Sequence, residues 1–276
     1  MSNPPAPEPL DGEVFDSHCH FEHMAAKAGH VTYGDPAPAA FIANEMARAA
    51  RVGVTKVVNV GCATEDWQSA VDSTEHESVW ASLAVHPTEV NGVTDDDYSR
   101  LETLLAHPRV VAVGETGLDY YWDRTDRTLQ QEHFRTHIAL AKKVGKPLMI
   151  HDRDAHEDVL RILREEGAPD VVVFHAFSGD ADMARECVHA GYLLSFPGVL
   201  TFKNAPALRE ACAQTPLEHI LVETDAPFLT PHPYRGQPNA PYLIPHVLRL
   251  VADLHNTSER VACDTISATG ARIYGL

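Results

Sequence analysis

The sequence has 276 residues and a formal net charge of −17, with 39 acidic side chains against 22 basic ones. No apolar stretch approaches the ~20 residues that cross a membrane, and the start carries no signal-peptide pattern, so we expect a globular protein without membrane contact. No long basic track is present either, which argues against a protein that grips a polyanion along its length.

The five cysteines are scattered along the chain without any C-x-x-C spacing; they are Cys19, Cys62, Cys187, Cys212 and Cys263. Such spacing is typical of reduced thiols and predicts a cytoplasmic protein. Nothing in the sequence indicates an obligate protein partner. Residues 1–12, "MSNPPAPEPLDG", are rich in proline. We therefore expect a disordered N-terminal tail there and one folded domain over residues 13–276.

Beyond the tail, short β-branched apolar runs alternate with longer segments of helical period. The eight predicted strands cover residues 14–20, 56–62, 80–86, 110–116, 147–152, 171–177, 192–197 and 220–225. Helices are predicted between and after them, at 41–52, 65–77, 95–106, 126–145, 154–166, 180–190, 204–214, 240–255 and 258–274. Eight βα units in one chain of this length predict an α/β fold, a TIM-type (β/α)8 barrel. A doubly wound open sheet is the alternative, but no G-x-G-x-x-G motif follows the first strand.

Two segments are predicted to be extended loops, residues 22–40 and residues 227–241. Both follow predicted strands. Loops at the carboxyl ends of barrel strands build the functional face, so these two loops are expected to shape access for a substrate.

The first predicted strand, "VFDSHCH", ends in two histidines. Side chains alternate along a strand, so Asp16, His18 and His20 share one face and the two imidazoles could reach one ion. Alone, this pattern fits a polar strand end as well as a ligand pair.

Residues of the same chemistry end four further predicted strands. Glu115 ends the fourth, His151 the fifth, His175 the sixth and Asp225 the eighth. The carboxyl ends of barrel strands meet on one face, so this pattern predicts a metal site there. Four imidazoles and two carboxylates are typical ligands of zinc or manganese, and one carboxylate between two ions would make a two-metal site.

Seven short stretches add a further signal: "DSHCH" at 16–20, "HP" at 86–87, "GETGLDYY" at 114–121, "PLMIHDRDAHEDVLRIL" at 147–163, "FHAFSGD" at 174–180, "VETDAPFLTP" at 222–231 and "YRGQPNAP" at 234–241. With them the sequence resembles the TatD-type metal-dependent deoxyribonucleases, within the amidohydrolase-like barrel enzymes, from Asp16 to its end. The resemblance implies that His18, His20 and Asp225 hold one divalent metal and that His151 and His175 hold a second. It also implies that Glu115 bridges the two metals.

The metals could be zinc, manganese or cobalt, and magnesium less readily. They would activate a water molecule and stabilise charge on phosphorus. Asp225 is the predicted proton-transfer group, and Glu223, two residues earlier on the same strand face, is expected to orient a ligand or water. Predicted phosphate contacts are Arg153, Lys203, Arg235 and Asn239, with Trp122 as a base-stacking residue. His86 is expected to shape the site by hydrogen bonding, and His23 and His156 to be surface residues.

Three functions remain in competition. The resemblance implies a nuclease that removes nucleotides from DNA ends or short single strands as a 3'-5' exonuclease. The acidic charge favours instead a hydrolase of a small ester, amide or phosphoester, because a protein that grips long DNA needs more lysine and arginine. A binding protein with a degenerate site is the third, but no predicted ligand is missing.

Overall fold

Eight parallel strands form one sheet in the order β1 to β8 in a computed structural model that describes residues 3–276. The strands are β1 (Val14–Cys19), β2 (Val54–Gly61), β3 (Val79–Leu83), β4 (Val110–Asp119), β5 (Leu148–Arg153), β6 (Val172–Phe174), β7 (Leu193–Phe196) and β8 (Ile220–Val222). Each strand pairs with the next along the chain, as in a TIM-type barrel. The predicted fold class is therefore confirmed.

The barrel closes between β1 and the residues that follow β8. The backbone N–H of Asp225 donates to the carbonyl of His18 at 2.9 Å, and Cys19 forms a parallel bridge with Ala226. The carboxylate of Asp16 accepts from the backbone N–H of Thr224 at 2.9 Å and from its hydroxyl at 2.5 Å. Asp16 is thus a closing contact of the barrel.

Ten helices surround the sheet: α1 (Phe21–Lys27), α2 (Ala39–Ala50), α3 (Trp67–Ser73), α4 (Asp95–Leu105), α5 (Arg127–Val144), α6 (His156–Glu166), α7 (Ala181–His189), α8 (Pro206–Gln214), α9 (Ile244–Leu254) and α10 (Glu259–Tyr274). Short 3₁₀ turns cover Pro87–Glu89, Gly198–Thr201, Leu217–His219 and Pro241–Leu243. Among residues 3–276, none of the helices has both the length and the apolar composition that a membrane crossing requires.

The predicted loop over residues 22–40 is wrong in its first part, because α1 begins directly after β1. Phe21, Met24 and Ala25 are buried on one side of this helix. Their spacing is that of an apolar helix face, which packs against the barrel instead of remaining extended. The predicted loop over residues 227–241 is irregular as expected, up to the turn at Pro241–Leu243.

The predicted disordered tail is corrected for residues 3–12, and residues 1–2 lie outside the described part. The segment has no helix or strand, but the backbone N–H of Leu10 donates to Val52 at 3.1 Å. The Tyr242 hydroxyl donates to the carbonyl of Pro4 at 2.7 Å, and Arg249 donates to that of Glu8 at 2.8 Å. A proline-rich segment lacks N–H donors for a sheet or helix, but its carbonyls can still accept from side chains of the domain.

Candidate metal centre

The predicted ligands of the first metal converge on one position at the carboxyl end of the barrel. His18 Nε2 lies 3.0 Å from His20 Nε2 and 3.2 Å from Glu115 Oε2. Asp225 Oδ1 lies 3.8 Å from His18 Nε2 and 3.4 Å from His20 Nε2. Ligand atoms of a tetrahedral ion at about 2.0–2.1 Å lie about 3.3 Å from one another. The donor atoms therefore have the spacing that a divalent ion needs.

The predicted ligands of the second metal meet the other oxygen of the same carboxylate. Glu115 Oε1 lies 2.7 Å from His151 Nδ1 and 3.1 Å from His175 Nε2. Glu115 thus directs one oxygen toward the His18 and His20 pair and the other toward His151 and His175. This is the geometry of a carboxylate placed between two cation positions.

Two glycines let Glu115 come this close to β5. A Cβ atom on Gly114 would lie 2.3 Å from the Cβ of Met149. One on Gly117 would lie 2.1 Å from the carbonyl oxygen of His151, and Gly117 has a φ of +142°. Only glycine accommodates both the close approach and this backbone conformation. The local sequence "GETG" therefore sets the distance between the bridging carboxylate and the strand that carries His151.

The remaining nitrogens of three ligand histidines are also bonded. His151 Nε2 lies 3.0 Å from Asp119 Oδ2, and His20 Nδ1 lies 3.1 Å from the carbonyl of Val60. His175 Nδ1 lies 3.1 Å from Glu223 Oε1. Such contacts orient imidazoles toward a metal and raise their basicity. Glu223 therefore lies where an orienting residue for His175 is expected.

The two carboxylates of this buried cluster are held in their charged form by the imidazoles around them. Burial opposes ionisation of Glu115, but the charges of His175 and His86 and hydrogen bonds from the histidines hold its pKa well below the usual range. Burial likewise opposes ionisation of Asp225, and the hydrogen bond from His20 lowers its pKa below the ordinary value. Burial disfavours a charged His20, yet Asp225 raises its pKa to about 9. Protonated imidazoles thus balance the carboxylates, and divalent ions would supply that charge in their place.

Four of the predicted substrate residues lie exposed on this face. The Arg153 guanidinium, at the end of β5, lies 3.9 Å from the ring centre of Tyr121 and 5.8 Å from that of Trp122. Lys203 follows β7, and Arg235 follows β8 with its guanidinium 4.6 Å from the ring of Phe202. All four side chains are accessible to solvent.

Asn239 lies elsewhere than its predicted role as a phosphate contact requires. Its side chain is buried, and its amide nitrogen donates to the carbonyls of Thr224 at 2.8 Å and Phe228 at 2.5 Å. Its amide oxygen accepts from the backbone N–H of Ala240 at 3.0 Å. Because both donors are occupied by backbone carbonyls, Asn239 fixes the loop after β8 and leaves no donor for a phosphate.

Four further residues lie beside the predicted ligands. His86 was expected to shape the site, whereas Cys62, His23 and Asp119 were not predicted there. Cys62 Sγ lies 3.6 Å from Glu115 Oε2, and His86 Nε2 lies 3.4 Å from Glu115 Oε1. His23, expected on the surface, stacks on His20 with ring centres 5.2 Å apart. Asp119 follows Glu115 by four residues on the same face of β4, so strand alternation could have identified it. Cys62 and His86 each end a predicted strand, but their contacts with Glu115 cross between strands, and strand alternation alone does not indicate them.

Comparison with known proteins adds independent findings. The family model described as "TatD related DNase" matches residues 15–275. The "Uncharacterized metal-dependent hydrolase TatD" of Mycobacterium tuberculosis is 47% identical over 270 residues, covering 95% of this chain and 98% of that protein. The "3'-5' ssDNA/RNA exonuclease TatD" of Musicola paradisiaca is 33% identical over 216 residues, covering 75% and 81%. The crystal structure of the TatD homologue YjjV from Escherichia coli superposes with a TM-score of 0.86 at 27% identity, covering 95% and 98%.

Proposed function

The chain belongs to the TatD-related DNase family of metal-dependent hydrolases, and from this premise we propose that it hydrolyses phosphodiester bonds at DNA ends as a 3'-5' exonuclease. The observation that carries the proposal is Glu115, whose two oxygens face two separate groups of nitrogen ligands. A relative that is 33% identical bears the name of an exonuclease on single-stranded DNA and RNA, which supports the same reading.

Two divalent ions are part of the proposal. His18, His20 and Asp225 would hold one ion and His151 and His175 the other, with Glu115 between them. Zinc, manganese and cobalt suit these nitrogen and oxygen ligands, and magnesium suits them less. When bound, the ions would lower the pKa of a water molecule and stabilise the negative charge that develops on phosphorus.

Side chains of the protein would accept a proton, orient a ligand and contact the phosphates. The Asp225 side chain is 14% exposed against 5% for Glu115, so Asp225 is the carboxylate that water reaches more easily. Asp225 would therefore accept the proton of the attacking water. Glu223 is fully buried and bonded to His175, so it would keep that imidazole aimed at its ion. Arg153, Lys203 and Arg235 would orient the phosphates of a short strand.

The test is metal removal followed by activity on end-labelled single strands. The purified protein is analysed for bound metals, treated with a chelator by prolonged dialysis, and reloaded with each divalent ion in turn. We expect activity to disappear and return, with a 5' label retained on progressively shorter strands and a 3' label released at once as mononucleotide. Full activity in excess chelator would refute the metal mechanism, and the opposite labelling pattern would refute the 3'-5' direction.

The net charge of −17 favours a second candidate, hydrolysis of a small ester, amide or phosphoester. Turnover of small esters with no release of nucleotides from any strand would establish it in place of the nuclease. A cytoplasmic location also remains part of the proposal, and the free thiols at all five cysteines support it.

A further inference from the structure

Exposed aromatic side chains are concentrated around the candidate metal centre. Five large hydrophobic residues are exposed in the part of the chain that the structure describes: Tyr33, Tyr121, Trp122, Phe228 and Val261. Tyr121, Trp122 and Phe228 lie on loops that follow β4 and β8, and Tyr33 lies between α1 and α2 beside His23, whereas Val261 lies in the first turn of α10. Clustered exposed apolar side chains indicate a binding surface more often than scattered ones do.

One group, which we call the Phe228 platform, comprises His23, Lys27, Tyr33 and Phe228. The ring of Phe228 lies 6.2 Å from that of the predicted ligand His20 and 5.9 Å from that of His23, which in turn lies 5.7 Å from Tyr33. Lys27 Nζ lies 5.9 Å from the Phe228 ring centre. The platform therefore combines a solvent-exposed aromatic surface with one cation, immediately beside the first metal position.

The Phe228 platform is held in place by two hydrogen bonds to backbone carbonyls. Asn239 donates to the carbonyl of Phe228 at 2.5 Å, and Lys27 donates to that of Pro227 at 3.0 Å. Phe228 itself is 42% exposed. An exposed ring on a loop that is already fixed loses little conformational freedom when a ligand stacks on it. This accounts for the buried position of Asn239, which has no donor left for a substrate.

The second group, which we call the Trp122 platform, comprises Tyr121, Trp122 and Arg153. It lies at the ends of β4 and β5, on the opposite side of the barrel from β8 and β1. Its two rings meet edge to face at 4.9 Å, with the Arg153 guanidinium against both. Asp119 Oδ1 accepts from the backbone N–H groups of Tyr121 at 3.0 Å and Trp122 at 2.9 Å. The other oxygen of Asp119 bonds His151, so one carboxylate positions both this platform and a predicted ligand.

We propose that the two platforms stack the nucleobases on either side of the phosphodiester at the metal centre, so that the protein recognises a single-stranded terminus by clasping two consecutive bases. This inference rests on the proposed function, since it places a phosphodiester at the centre. Base stacking on aromatic side chains tolerates every sequence and adds affinity without a basic groove. It therefore explains how a chain with a charge of −17 can bind a polyanion. In a duplex, two consecutive bases are paired and stacked on each other, so they could not each stack on a separate platform.

Product nucleotides test the platforms without requiring cleavage. Binding of inorganic phosphate, thymidine 5'-phosphate and thymidine 3'-phosphate to the metal-loaded protein is measured by calorimetry. The two nucleotides place their base on opposite sides of the phosphate. We expect Phe228→Ala to weaken the binding of one nucleotide about tenfold and Trp122→Ala to weaken the binding of the other about tenfold. The affinity for inorganic phosphate should not change. Phe228→Trp should restore affinity, and Val261→Ala, at an exposed apolar position far from the face, should change nothing.

The possible results distinguish failure of the platform proposal from failure of the proposed nuclease function. The platform proposal would be overturned if Phe228→Ala weakened the binding of phosphate and nucleotide equally, or if the binding of neither nucleotide were weakened. A second measurement uses strands with an abasic residue on one side of the scissile bond. Phe228→Ala should raise KM for the intact strand and not for the strand that lacks the stacked base; equal effects on both strands would again overturn the platforms. Platform-dependent nucleotide binding without strand cleavage would overturn the nuclease alone.

Discussion

The two halves of the barrel position their predicted ligands by different means. In the first half, His18, Glu115 and His151 lie inside β1, β4 and β5, although the strand pairing shifts register beside His18 and Glu115. In the second half, β6 and β8 are only 3 residues long, and His175 and Asp225 come after them. His151 is thus placed by strand pairing, whereas His175 and Asp225 lie beyond their strands, bonded through their backbone N–H groups to Ile150 and His18, and need further support.

That support comes from buried side chains and unusual backbone. Asp225 has a φ of +53°, and Ala176, next to His175, has a φ of +42°. Such conformations cost energy for residues other than glycine and persist only where the surroundings impose them. Glu223 accepts from the backbone N–H of Ala176 at 2.8 Å, and Asp16 holds Thr224 next to Asp225. Single side chains thus hold the backbone around the second-half ligands, whereas strand pairing holds the backbone around His151 in the first half.

The largest expected effect is loss of a ligand from a strand. Replacing His151 with Ala should reduce activity to background with the fold intact, because the β4–β5 ladder holds the backbone without the imidazole. His156→Ala is the matched control: it lies in α6, bonds Asp152 at 2.8 Å and touches no predicted ligand group. Activity is measured on end-labelled strands and folding by circular dichroism. Equal losses in both variants would mean that the strand-end assignment is wrong.

The second prediction concerns the carboxylate that joins the halves. Glu115→Gln keeps the shape of the side chain but removes the charge that offsets two adjacent cations. Metal occupancy should fall, most at the more weakly held position, and activity should fall with it. Elemental analysis after gel filtration gives the number of ions per chain. A variant with two ions and normal turnover would rule out a bridging role for Glu115.

A third, smaller effect compares the two orienting carboxylates directly. Glu223→Gln should weaken metal binding by about 10–100-fold, the range typical of such partners, because Glu223 bonds both His175 Nδ1 and the backbone N–H of Ala176. Asp119→Asn should reduce the metal affinity by a smaller factor, because His151 is also fixed within β5. Competition titrations with a chromogenic chelator give both affinities. A larger loss in Asp119→Asn would contradict the difference drawn between the halves.

The smallest expected effect is on salt dependence. Binding of a single strand weakens with log salt by about 0.7 per phosphate contacted, so two or three contacts predict a slope of about −1.5 to −2. Arg153→Ala from the first half and Arg235→Ala from the second should each flatten the slope by about 0.7 if both halves hold a phosphate. Anisotropy titrations with strands of increasing length measure this. A steep slope that grows with strand length would instead reveal a continuous basic groove.

The barrel and the residue types of the candidate centre could be predicted from the sequence, but β6 and β8 end before His175 and Asp225, which were expected to lie at their ends. Apolar periodicity is a property of neighbouring residues, so the strands could be placed without knowing their partners. The histidines and carboxylates could then be assigned to one face, because parallel barrel strands all end there. The same local reasoning failed for residues 3–12, whose composition predicts disorder but whose carbonyls meet donors from Tyr242 and Arg249.

Which side chains are in contact depends on the tertiary structure and could not be predicted from the sequence. The register that pairs Gly117 with His151 places Glu115 beside its partner, and closure of β1 onto the residues after β8 places Asp225 beside His20. The same long-range contacts bring Cys62 to the centre and bury Asn239 beneath Phe228. Register and closure depend on residues up to about 200 positions apart in the chain, such as Asp16 and Thr224. No pattern within a single segment contains that information, so the centre becomes specific only once the barrel is complete.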